Sequence, residues 1–186
     1  LEFNETKESA RLALEQFSAD FNRNPTLNRR TLRKYLVNAH NLLIRESEGQ
    51  ILKASLVLLV TDYASIIWAV CGNARLYFFR DGQFIFRSQD QSTVEELMEW
   101  GNVTEYENQT RDEQPYLTNF LGKQSGFTPF ISKKYKLRDG DVMLLCNSGF
   151  WENMRYDEMN QVLSTTGNPR DLLIGLQERL KQKQAL

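Results

Sequence analysis

The sequence predicts an α+β fold. Three observations carry that prediction: two amphipathic helical stretches open the chain, short β-branched apolar runs separated by tight turns fill its middle, and a helix with clear starting signals follows near its end. From Glu5 to about Asn22, apolar residues stand at Ala10, Ala13, Leu14, Phe17 and Phe21, the spacing of one helical face. "NRNPTLN" interrupts it, because proline pushes the residue before it out of the helical region. A second helix is predicted from about Asn28 to Glu46. It sets Leu32, Tyr35, Leu36, Ala39, Leu42 and Leu43 on one side and the basic residues of "RR", "RK" and "RE" on a solvated face.

The period then changes. "KASLVLLVT" and "ASIIWAV" are joined at Asp62-Tyr63, while "RLYFFR" and "QFIFRS" are joined by Asp81-Gly82, a strong two-residue hairpin signal. The four runs predict an antiparallel β-meander over 53–88, and the near-continuous apolar character of the first pair predicts cover on both faces. Residues 89–134 form a polar insertion with a short helix at Thr93 to Trp100 and a loop in "LGKQSGFTP". In "KYKLRDGDVMLLCNSGFW" the "RDGD" turn leads into a strand from Val142 to Cys146, which Asn147-Ser148-Gly149 closes. "NPRDLLIGLQERLKQ" opens a helix with Asn168 as N-cap, Pro169 at the first position and Asp171 at the third. All of this fits one domain over 1–186, without linkers.

Composition narrows the function classes. Lys and Arg (23) nearly balance Asp and Glu (24), so there is no basic excess to suit nucleic acid or a polybasic membrane patch. The longest apolar runs are too short to span a bilayer, and no signal segment opens the chain; a soluble, cytoplasmic protein is expected. Cys71 and Cys146 sit in apolar runs, where reduced buried thiols are expected. The single histidine, His40, lies within the second helix, so a histidine triad or multi-histidine metal site is not available in this sequence. "GNAR" and "GKQSG" lack the phosphate-cradle spacing.

The order of pieces is more informative. Two helices, a hairpin ending in "AVCGNARLYFFRDGQF", a polar stretch with "NFLGKQSGFTPFI", then "YKLRDGDVMLLCNSGFWENM" and a helix after "GNPRDLL" resemble the PPM (PP2C-type) metal-dependent serine/threonine phosphatases over roughly residues 10–180. The resemblance implies a β-sandwich flanked by helices in α/β/β/α layers, with a binuclear Mg²⁺ or Mn²⁺ site at one end held by aspartates. Hard divalent cations prefer oxygen ligands, and two close cations need negative charge around them before they can clamp a phosphate.

Matched residue by residue, the pattern departs where that charge is needed. The family's "GDSR" stands as Gly72-Asn73-Ala74-Arg75, and its "SDG" as Asn147-Ser148-Gly149, making Asn73 and Ser148 vestigial metal-site positions. Asp139 and Asp141 read as parts of a tight turn, and Phe150 and Trp151 as core. Arg75 remains as a candidate phosphate contact or a structural salt bridge. The family's "R..NED", "DGhGG" and "DN" motifs are not in the sequence, which begins at Leu1 with an "LEF" read as partly a cloning remnant. A piece of a larger domain is therefore expected, with sheet edges completed by further segments or by a second copy of the chain.

The reading is a PP2C-like pseudophosphatase with no catalytic residues and no cofactor, working through a protein or phosphoprotein partner, with homo-oligomerisation open. The alternatives are an active Mg²⁺- or Mn²⁺-dependent phosphatase whose ligands lie partly outside the chain, and a phosphopeptide-binding module that uses Arg75.

Overall fold

The computed structural model describes residues 2–47, 51–109 and 116–184. Helices α1 (Glu2–Arg23) and α2 (Arg29–Arg45) form the predicted pair. The Asn28 side chain caps α2, its Oδ1 accepting from Arg30 N and Thr31 N at 3.0 and 3.2 Å, which satisfies donors the first helical turn leaves unpaired. Leu32, Leu36, Ala39 and Leu43 of α2 join Ala13 and Phe17 of α1 in one buried cluster.

Strands β1 (Leu56–Thr61) and β2 (Ser65–Cys71) pair antiparallel, and the two-residue strands β3 (Phe130–Ile131) and β4 (Tyr135–Lys136) both pair with β2 on its other side. The second sheet has the order β6-β5-β7, from β5 (Arg75–Arg80), β6 (Gln83–Arg87) and β7 (Asp141–Cys146). The two hairpins therefore belong to different sheets, which corrects the single meander predicted over 53–88. Each hairpin was legible from its own alternation and turn, but the crossing between sheets is made at Gly72-Asn73-Ala74, where neither period continues.

Side-chain alternation builds the layers. Ile67, Ala69 and Cys71 of β2 face α1 and α2. Tyr77 and Phe79 of β5, with Val142, Leu144 and Cys146 of β7, face the C-terminal helices. Between the sheets lies an aromatic group of Trp68, Phe78, Phe86 and Tyr135, with ring centroids 5.2–6.4 Å apart in its closest pairs. The result is the α/β/β/α sandwich that the resemblance implied. Strand β1 is half-buried rather than covered on both faces, since among the described residues it pairs only with β2.

Beyond the predicted helix in the insertion, α3 (Thr93–Glu99), comes a short α4 (Glu105–Gln109) that the sequence reading left as loop. Strand β7 ends at Cys146, and Asn147 leads at once into α5 (Ser148–Trp151), followed by α6 (Tyr156–Thr165) and α7 (Pro169–Gln184). Helix α6 was also missed, whereas α7 begins as expected, with Asp171 N donating to Asn168 Oδ1 at 3.0 Å.

The "RDGD" turn is held from within. Arg80 Nε and Nη2 donate to the two Asp141 oxygens at 2.6 and 2.8 Å, and Arg138 N also donates to Asp141 Oδ2. The Asp141 side chain is 2% exposed, and hydrogen bonding from Arg80 holds its carboxyl below the ordinary 3.8. A lowered folded-state pKa means that the carboxylate stabilises the fold above its unfolded value and loses that contribution as pH falls through the folded one. Asp141→Asn is accordingly expected to cost about 1–2 kcal/mol near pH 7. The difference from the parent should shrink at a low pH, below the lowered folded-state pKa of Asp141, where both forms are neutral. Urea unfolding at the two pH values checks this, and an unchanged difference at low pH would contradict it.

Candidate functional site

The crossing between the sheets and the end of β7 meet at one end of the sandwich. Gly72 adopts φ +84°, a left-handed conformation that glycine tolerates without strain. A Cβ there would lie 2.2 Å from Ser55 Oγ, so the backbone also needs the missing side chain. Ser55 Oγ donates to Asn73 Oδ1 at 2.9 Å and accepts from Asn73 N at 3.3 Å, and Trp151 Nε1 donates to Asn73 O at 2.8 Å. Asn73 is thus buried and held on three sides. In the β5–β7 ladder Arg75 is paired with Cys146; Asn73 and Ser148 each lie two residues beyond that pair. The register therefore brings the two sequence-predicted positions to the same end of the sheet. Ser148 is half-buried as the first residue of α5.

Arg75 lies just inside this end. It is fully buried, with its guanidinium 3.5 Å from the centre of the Trp151 ring. Its Nε donates to Asp90 Oδ1 at 2.9 Å and its Nη2 to Asp90 Oδ2 at 2.7 Å, while Nη1 donates to Glu105 Oε1 at 2.6 Å and to the Tyr77 hydroxyl at 3.1 Å. A second arginine extends the array: Arg87 donates to Glu105 Oε2 at 2.6 Å and to both Glu95 oxygens at 3.0 Å. Burial works against the charge on Glu105, but Arg75 and Arg87 outweigh it and hold its carboxyl below the ordinary range. Burial pushes the Tyr77 hydroxyl up to about 12, and as a neutral group it accepts from Arg75. For Arg75 this is the geometry of an internal counter-ion; a phosphate could reach the guanidinium only by displacing a carboxylate.

Of the remaining predicted residues, His40 and Asp141 are committed elsewhere, while Cys146 and Trp151 border this end. His40 accepts from Gly122 N through Nδ1 at 3.2 Å and stacks on Phe127 at 4.0 Å, and burial lowers its pKa, as suits a neutral packing residue. Cys71 and Cys146 are free thiols, each pushed up to about 12 by burial. Trp151 is core, as read, and Phe150 packs beside it. Asp141 is spent on Arg80.

At Asn73 and Ser148, which the motif resemblance aligns with metal ligands, the side-chain donors are an amide and a hydroxyl, both neutral, and the amide oxygen of Asn73 already accepts from Ser55. Among the described residues no three or more His, Cys, Asp or Glu side chains are grouped so as to hold a metal ion. Hard divalent cations bind oxygen ligands, and two of them close together need anionic charge among those ligands. The residues at these positions do not fit the binuclear centre that the resemblance implies. Sequence reasoning missed Ser55, Asp90, Glu105, Arg87 and Glu95. One signal was present: Arg75 and Arg87 stand in apolar strands, and an arginine buried in that way requires acidic partners.

No family model matches the chain. A Streptococcus pyogenes protein assigned by name to the protein phosphatase 2C type is 26% identical over 102 residues, which are 55% of this chain and 41% of the relative. The match thus spans about two fifths of the relative's length. Among solved structures, the serine/threonine phosphatase Stp1 of Staphylococcus aureus superposes with TM-score 0.82 at 17% identity, over 94% of this chain and 71% of that one. The serine/threonine phosphatase PstP of Mycobacterium tuberculosis gives 0.78 at 16%, over 93% and 76%. A PstP catalytic domain in complex with two manganese ions gives 0.79 at 16%, over 95% and 75%. At these identities the superpositions show the fold, and together with the curated relative they support the resemblance read from the motifs.

Proposed function

We propose, from the premise that this chain has the PP2C-type phosphatase fold, that it is a non-catalytic version of that fold which acts as a regulatory or protein-interaction module. One observation carries the reading. Asn73 and Ser148 stand together at the end of the sandwich, at the two positions where the family pattern has carboxylates, and Asn73 is locked there by Ser55 and Trp151. Two carboxylates at one end repel each other unless a cation lies between them, and neutral replacements remove that repulsion. Such a domain keeps its fold without metal, and its partner is a protein or a phosphoprotein.

Phosphate release from a phosphopeptide and from an aryl phosphate, with and without Mn²⁺, tests the proposal. The parent chain is expected to show no Mn²⁺-stimulated release, and the Asn73→Asp/Ser148→Asp variant to gain Mn²⁺ binding by calorimetry. EDTA-sensitive turnover by the parent would sink the proposal in favour of an active Mg²⁺- or Mn²⁺-dependent phosphatase.

A further inference from the structure

A cavity of about 560 Å³ opens beside segment 88–92. That volume lies within the range of small-ligand and side-chain pockets. Its apolar wall is Trp68, Phe86 and Phe130. Facing them are one arginine, Arg87, and four carboxylates: Asp90, Glu95, Glu96 and Glu99. Asp90 and Glu95 are committed to Arg75 and Arg87. Glu96 and Glu99, both exposed, have no ion pair among the described residues; Glu99 only accepts from the neutral Gln89 Nε2 at 2.7 Å. Lys123, near Thr118 and Gly126 of the lining, is tied to the Thr118 carbonyl rather than to either carboxylate.

Aromatic faces opposite unpaired carboxylates select a cation on an apolar stem, because the rings attract the positive charge and cover the hydrocarbon while the acids anchor the head. A phosphate would meet the wrong sign of charge. Trp68 Nε1 is fully buried, without a hydrogen-bond partner among the described residues. We propose that this cavity is a docking site for an arginine or lysine side chain of a basic, extended segment of a partner protein, held by Trp68, Phe86 and Phe130 on its stem and by Glu96 and Glu99 on its charge. The site stands whether or not the Asn73/Ser148 end turns over phosphate.

Titration of the whole chain with an arginine-centred hexapeptide, followed by the indole N–H signals in a ¹H–¹⁵N spectrum, tests it. The sequence has three tryptophans, and Trp68→Phe identifies the relevant peak. The Trp68 signal is expected to shift saturably, with Kd raised at least about tenfold in Glu96→Gln/Glu99→Gln and weakened by added salt. Both carboxylates are exposed, so these changes leave the fold intact. Phe130→Ser, at a ring 48% exposed, should weaken binding without altering the salt dependence. A peptide with citrulline in place of arginine should not bind. The absence of a saturable shift, or an unchanged Kd in the double variant, would overturn the site. Equal affinity for agmatine alone would overturn its assignment to a protein partner.

Discussion

Replacing Arg75 with methionine is expected to lower the free energy of unfolding by about 3–5 kcal/mol. The magnitude follows from what the change leaves behind. Asp90, whose side chain is 1% exposed and whose carboxyl burial already pushes up, would have to hold its charge without the Arg75 guanidinium or take up a proton, and Glu105 would lose one of its two arginines. Removing one member of a buried ion pair costs far more than removing both, because the survivor carries an uncompensated desolvation penalty. Adding Asp90→Asn to Arg75→Met should therefore recover stability rather than lose more. Arg75→Lys should restore little, since an ammonium cannot reproduce the fork that reaches Asp90, Glu105 and Tyr77 together. Urea unfolding of the three variants measures this, and a loss below about 1 kcal/mol for Arg75→Met would show that the array contributes little net stability.

Trp151→Ala should be of similar size, about 3–5 kcal/mol. The ring is fully buried in the cluster formed with Tyr77, Phe79, Met154, Met159, Leu172 and Leu176. Its loss would open a cavity, remove the face beneath the Arg75 guanidinium, and leave Asn73 O without the donor at 2.8 Å. Because Trp151 and Arg75 touch, their effects should not add, and a coupling of about 0.5–3 kcal/mol is expected from the double-mutant cycle. Trp151→Phe separates the contributions: it keeps much of the volume and loses the Nε1 hydrogen bond, so it should cost about 1–2 kcal/mol. Additive single variants would mean that the ring and the guanidinium are neighbours without interaction.

The features legible in the sequence were those settled within a few residues. Asn28 and Asn168 cap helices through their own local donors, and the Asp81-Gly82 turn takes two positive φ angles, 50° and 72°, that its residue types accept. Asn73 and Ser148 were singled out locally too, as departures from a motif. What stayed hidden depends on distance along the chain. Asp90 is 15 residues from Arg75 and Glu105 is 30, across an insertion whose polar composition gives no period to follow. The assignment of the two hairpins to different sheets had no local signal either, because alternation within a strand says which residues share a face but not which sheet the strand joins. Helix α6 has a buried Met159 and partly buried Val162 and Leu163, but its start lacks the strong cap residues that made α7 plain.

Gln91 connects the candidate site with the cavity. Its backbone N–H donates to Gly72 O and its side-chain Oε1 accepts from Gly72 N, so it clasps the turn that carries Asn73. The same side chain accepts from Asn119 and donates to Thr128 O, two residues of the cavity wall. A glutamine in that position is pleiotropic. Its carbonyl and its amide are both in use, one end for the sandwich terminus and both for the cavity loop, so a substitution at Gln91 acts on both regions at once. Variants at Gln91 are for that reason poor probes of either region, and changes in the two regions are tied to each other through one side chain.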